Sequence, residues 1–201
     1  MRGTYAGPLR ALLVAFKHEG RFGFRGVLGD ALRSPLLDAL ALAAVSSRSE
    51  PPLLVAMPSR PSSVRKRGYR HLEVLIAKAL PRGMPRPRVV RALRTTRGRV
   101  GQVGLSSSER ERNAGRIAVS RRFRRSVRGR GIVLVDDIVT TGASVRRAIL
   151  SLETAGGKVV AIAALSAAER RDSPGESANS IQTGRGGGIA AEGWSRVPGK
   201  A

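Results

Sequence analysis

The 201 residues carry 37 basic and 14 acidic side chains, a formal charge of +23, with 41% apolar residues and no cysteine. The apolar fraction is enough for one buried core of ordinary domain size and excludes a wholly disordered chain. Missing cysteine excludes disulfides, thiolate catalysis and Cys-ligated metals, and two histidines, His18 and His71, cannot make a histidine metal site unaided.

The most apolar run, Leu36 to Val45, falls well short of the roughly 20 residues that span a bilayer. Arg10 and Lys17 bracket Ala11 to Phe16, and no small-residue cleavage site follows, which argues against a signal peptide. A cytoplasmic protein with no membrane partner is expected. The positive field favours polyanions such as nucleic acid or phosphate esters. Arginine outnumbers lysine 32 to 5, however, and a GC-rich coding bias would produce the same imbalance. The charge is uneven: between Arg82 and Arg130 stand sixteen arginines and two acids, Glu109 and Glu111.

Leu9, Leu12, Leu13 and Phe16 recur at helical spacing behind Pro8, with Gly20 as a terminating cap. Val27 to Ala41 gives a second amphipathic helix, kinked or split at Pro35. Leu53 to Met57 reads as a strand buried on both faces and stopped by Pro58. Ser59 to Gly68 reads as a basic loop, Leu72 to Leu80 as a helix, and Arg88 to Leu93 as a strand before a mobile loop at Thr95 to Gly104. Ser106 with Glu109 fits a capping box. Strands follow at Arg116 to Ser120 and Gly131 to Val135, then a helix at Ala143 to Ala155 and a strand at Lys158 to Leu165. Alternating strands and helices predict an α/β fold with a mainly parallel central sheet flanked by helices. Three segments are expected: N-terminal helices to residue 50, a core over 51–168, and a disordered, Gly- and Ser-rich tail over 169–201.

The chemistry concentrates at Val133 to Ser144, VLVDDIVTTGAS. An apolar strand running into Asp136 and Asp137 sets two carboxylates at the carboxyl edge of the sheet, where open α/β sheets bind ligands. Carboxylates only accept hydrogen bonds, which suits vicinal sugar hydroxyls or the water shell of magnesium. Thr140, Thr141, Gly142, Ala143 and Ser144 then lead into a helix whose unpaired N–H groups and dipole favour phosphate. Ordinary capping explains the second half alone, and other magnesium sites explain the first. Joined in this order, they describe a diol clamp beside a phosphate cradle, the outline of a ribose 5-phosphate.

This segment resembles the signature of type I phosphoribosyltransferases. FKHEGRFG at Phe16 to Gly23, MPSRPSSVRKRGYRHLEVLIAKAL at Met57 to Leu80 and GQVGLSSSERERNAG at Gly101 to Gly115 resemble the competence protein F (ComF) branch of that superfamily. The resemblance implies binding of phosphoribosyl pyrophosphate with Mg2+ carried by the ligand rather than held directly by protein. It assigns pyrophosphate to Met57, Pro58, Ser59 and Arg60, with Arg65, Arg67, Gly68 and Tyr69 beside them. A flexible hood falls on Gln102, Gly104, Leu105, Arg110 and Asn113. Ribose and 5-phosphate fall on Asp136, Asp137, Thr140, Thr141, Gly142 and Ser144. The four-cysteine zinc ribbon of many members has no counterpart cysteines here.

Two functions are consistent with these residues. One is transfer of the phosphoribosyl group to an unidentified nucleobase, with Asp136 or Asp137 as a candidate catalytic base. The other is a non-catalytic competence or DNA-processing accessory protein that keeps the site and meets single-stranded DNA or a DNA-handling partner. Lys17, His18 and Arg21 read equally as a ligand patch or a solvated helix end, and His71 reads as structural.

Overall fold

The computed structural model describes residues 8–46, 50–96, 116–167 and 189–190. The expected α/β architecture is present. Four parallel strands, β1 (Leu53–Ala56), β2 (Val89–Val90), β5 (Gly131–Val139) and β6 (Lys158–Ala167), lie in the order β2-β1-β5-β6. β3 (Leu93–Thr96) and β4 (Arg116–Val119) form a separate antiparallel ribbon.

Helices cover both faces. Helices α1 (Pro8–His18), α2 (Arg25–Ser46) and α4 (His71–Ala79) bury Phe16, Leu32, Leu36 and Leu75 against Leu54, Val133 and Val135. The helix after β5, α6 (Ala143–Thr154), buries Val145, Ala148 and Leu152 against Leu53, Val55, Ile132 and Leu134. Alternate residues of β1 and β5 thus enter opposite cores, as the two-residue period of a strand requires. The N-terminal helices share the sheet's own core.

Several elements differ from the sequence reading. Pro35 does not split its helix, because Leu32 and Leu36 on either side of it are fully buried in one core and hold it together. Most of the expected basic loop is a helix, α3 (Pro61–Arg67), started by a proline at its first turn and stopped by Gly68 at φ 79°. The single strand expected over Arg88 to Leu93 is two short ones, β2 and the start of β3. Arg121–Phe123 and α5 (Arg124–Val127) add two short helical turns. Thr95 and Thr96 lie in β3, while the remainder of the expected loop and the capping box at Ser106 lie outside the described residues. Within the expected disordered tail, Ile189–Ala190 form β7, antiparallel to β6. This pairing covers part of an otherwise open sheet edge, and the rest of that segment lies outside the described residues.

Candidate functional site

From β1 the chain crosses to β2 on one side, and from β5 it crosses to β6 on the other. The strand order therefore reverses between β1 and β5, and open parallel sheets bind ligands at the carboxyl ends of such a pair. Parallel register brings Ala56 beside Val135, and Met57 N–H donates to the Val135 carbonyl at 2.8 Å. The turn Pro58–Ser59–Arg60 is thereby set next to Asp136 and Asp137. All five residues line one cavity of about 340 Å³.

Asp136 and Asp137 are adjacent on a strand and face opposite sides. Asp137 continues the face of Val133 and Val135, under α1 and α4, and is 6% exposed. Its Oδ2 accepts from His71 Nε2 at 2.8 Å and from the ammonium of Lys17. Burial pushes this carboxyl up, but the His71 hydrogen bond and the Lys17 charge outweigh it and hold the group well below the ordinary carboxylate range. Asp136 forms no ion pair among the described residues; its Oδ1 accepts from the Asp137 backbone N–H at 2.8 Å. Its desolvation, then the adjacent Asp137 charge, push its carboxyl well above the ordinary value. One carboxylate is locked in place and its neighbour is left to face the cavity.

His71 is 7% exposed, and burial lowers its pKa against the raising effect of Asp137, so the ring is neutral at pH 7. An ionised Asp137 can only accept, so Nε2 carries the hydrogen. Nδ1 then accepts from the Ser59 hydroxyl at 3.3 Å and from Arg67 Nη2 at 3.4 Å. Arg67 Nη1 also donates to the Lys17 carbonyl at 3.2 Å, and the Tyr69 hydroxyl donates to the Phe16 carbonyl. These bonds fasten the C-terminal turn of α1 over the sheet edge and aim Lys17 at Asp137.

Beyond β5, Gly142 sits at φ 70° and caps the start of α6, a backbone position that most side chains resist. Ala143 N–H reaches back to the Thr141 hydroxyl at 3.4 Å, and Ser144 lines the cavity. Thr140 and Thr141 are exposed beside it.

The expected residues thus converge only in part. Pro58, Ser59, Arg60, Arg67, Asp136, Asp137 and Ser144 line the cavity. Arg65 is exposed on α3 and does not line it. Arg67 lines it with two of its nitrogens already engaged, and its Nε is buried without a partner among the described residues. Gln102, Gly104, Leu105, Arg110 and Asn113 lie outside the described residues. Lys17, for which sequence reasoning left a ligand patch and a solvated helix end equally open, and His71, which it read as structural, both line the cavity. The only sequence signal for them was charge at the end of α1 and a histidine flanking an apolar stripe.

For a divalent cation, the cavity offers one carboxylate outside an ion pair, Asp136, with the hydroxyls of Ser59, Ser63, Thr95 and Ser144. That set is too small for an all-protein site and suits magnesium that arrives on a phosphorylated ligand.

Residues 63–183, more than half of the chain, match the phosphoribosyl transferase domain. The chain belongs to the phosphoribosyl transferase domain family. Orotate phosphoribosyltransferase of Rhizorhabdus wittichii is 44% identical over 63 residues, 31% of this chain and 32% of that protein. The DNA utilization protein YhgH of Escherichia coli is 31% identical over 142 residues, 70% of this chain and 59% of that one. The latter likeness accords with the competence protein F resemblance. The chain spans about a third of the orotate enzyme it matches. A glutamine phosphoribosylpyrophosphate amidotransferase from B. subtilis aligns at TM-score 0.37 with 23% identity, over 67% of this chain and 26% of that one. Among the described residues, no helix is long and apolar enough to cross a membrane.

Proposed function

We propose that this phosphoribosyltransferase-like protein binds phosphoribosyl pyrophosphate with magnesium and transfers the phosphoribosyl group to a nucleobase. The observation that carries the reading is one cavity walled by Asp136 and the start of α6 on one side and by Ser59 and Arg60 on the other. A sugar diol takes the first wall, its 5-phosphate the start of α6 at Gly142 to Ser144, and its pyrophosphate the second wall.

Transfer breaks the anomeric carbon–oxygen bond through an oxocarbenium-like state, so charge develops on the departing pyrophosphate. Arg60 neutralises that charge from the turn after β1, and the ammonium of Lys17 lies within the same cavity. Magnesium on the ligand supplies further charge neutralisation. Asp137 stays ionised because Lys17 and His71 hold it, and it fixes the strand end against which the ribose rests. Asp136, whose carboxyl binds its proton more tightly than usual, is suited to accept a proton from the acceptor nitrogen.

A second reading is favoured by the 31% identity to a DNA utilization protein and by the closed Lys17–Asp137–His71 network. It keeps the ligand site without turnover, in a DNA-processing accessory protein. Calorimetric titration with phosphoribosyl pyrophosphate and magnesium tests what both readings share. Asp136→Asn is expected to weaken binding about tenfold or more, the cost of losing a charged hydrogen-bond acceptor. Unchanged affinity in this variant would remove the site. Pyrophosphate release with at least one base then selects transfer, and none with any base selects the accessory role.

A further inference from the structure

A larger cavity, about 840 Å³, lies outside the cleft, between α5, the ribbon and α6. We propose that it is a second ligand site, for a nucleoside polyphosphate. The proposal does not rest on the reading of the first cleft.

Four arginines line it. Arg124, Arg125 and Arg128 come from the short turn of α5 and its end, and Arg147 comes from the first half of α6. No carboxylate of the described residues lines it. Several other arginines stand against acids: Arg33 on Asp30, Arg91 on Glu73, Arg130 on Glu50. Arg124, Arg125 and Arg128 form no ion pair among the described residues, and all three border one concavity. Like charges converging on one concavity repel, and that repulsion turns to attraction when a polyanion enters.

The rest of the lining is of a different kind. Ile117, Val119, Leu150 and Ala155 form an apolar floor, and Leu150 is 67% exposed, an uncovered leucine beside cationic groups. Ser151 and Thr154 recur on the same face of α6 as Arg147 at helical spacing. An apolar floor with a few convergent polar groups and a volume within about 300 to 1,000 Å³ is the pattern of a small-molecule pocket. The guanidinium groups of Arg124, Arg125 and Arg128 suit the charge of a polyphosphate, and the floor suits a flat base. Among the described residues no aromatic lines the cavity, which disfavours a strand held by stacked bases.

The wall between the two sites is thin. Thr95 lines the cleft, Thr96 lines the arginine cavity, and Ile117 borders both, as alternating residues of a ribbon do. The two cavities are therefore separate but share the ribbon β3–β4.

Titration with ATP, inorganic triphosphate and a short oligothymidylate tests the assignment on the full chain. Leu150 is exposed, so Leu150→Glu and Leu150→Lys leave the core intact while changing the cavity's charge. ATP binding is expected to weaken about tenfold in Leu150→Glu. It should strengthen in Leu150→Lys, fall in the double variant Arg124→Gln with Arg125→Gln, and persist in Asp136→Asn. ATP affinity indifferent to all the Leu150 and arginine changes would overturn the site. Equal binding of inorganic triphosphate would overturn the nucleoside part, and oligothymidylate binding without ATP binding would replace the pocket by a strand surface. Loss of ATP binding in Asp136→Asn alone would assign it to the cleft.

Discussion

At the scale of single residues, the two aspartates have the same chemistry and opposite energetics. Asp137 has a lowered pKa, so the folded state binds its proton less tightly than the unfolded state does. Its contribution to stability is present above the unfolded value, near 3.8, and is lost as pH falls through the folded value. Asp136 has a raised pKa, so its contribution is present below 3.8 and is lost as pH rises through the folded value. At neutral pH the folded protein therefore gains from Asp137 and is penalised by Asp136. Asp137→Asn is expected to destabilise by about 3 to 5 kcal/mol, because it strips Lys17 and His71 of a buried partner. Asp136→Asn is expected to raise the melting temperature at pH 7, with the gain vanishing below about pH 4, the ordinary carboxylate range. Melting curves of both variants between pH 4 and 8 check this; the same sign for both at pH 7 would refute the asymmetry. A group that costs stability where it stands is expected of a working site.

At the scale of elements, two glycines constrain the helices for different reasons. Gly29 on α2 leaves no room for a side chain: a Cβ there would lie 2.5 Å from the Cβ of Lys78 on α4. Gly68 has open space around it but holds the left-handed turn that ends α3 and aims Arg67 back toward α1. Gly29→Ala is expected to cost about 1 to 3 kcal/mol through overpacking. Gly68→Ala is expected to cost about 1 to 2 kcal/mol through backbone strain alone. Urea denaturation measures both. Phosphoribosyl pyrophosphate affinity separates them, because only the second change lies beside the cleft.

Elements with strong periodicity were legible in the sequence. β5 and α6 follow from an apolar run and a helical stripe, and both surround the motif that carries the chemistry. Helix α3 was not legible from periodicity because it buries none of its side chains. Its markers were Pro61 and Gly68, which fix where a helix starts and stops without a hydrophobic face. Lys17 was legible only as one of two equal readings, ligand patch or solvated helix end, and His71 was legible only as structural. His71 meets Asp137 across 66 positions of sequence, and Lys17 meets it only because α1 folds over the sheet edge. Such contacts come from topology, which residue type and spacing do not encode.

At the scale of the whole molecule, a formal charge of +23 sets the terms on which the fold is stable. Self-repulsion opposes compaction, and salt screens it over a Debye length of about 8 Å at physiological ionic strength. Added chloride should therefore raise the melting temperature gradually, with no dependence on Asp136 or Leu150. A polyphosphate acts on top of this through sites. At matched ionic strength screening is the same, so any excess shift measures binding to the folded state. Ligand at a hundred times its dissociation constant stabilises by about 2.7 kcal/mol, which for a chain of this size is about 5 to 10 °C. Phosphoribosyl pyrophosphate with magnesium, compared with chloride at equal ionic strength and low millimolar ligand, is expected to give an excess of that order. The excess should shrink in Asp136→Asn and stay intact in Leu150→Glu, while ATP should show the reverse pattern. Equal shifts from chloride and from either ligand would mean that the charge of this chain is only screened and never specifically met.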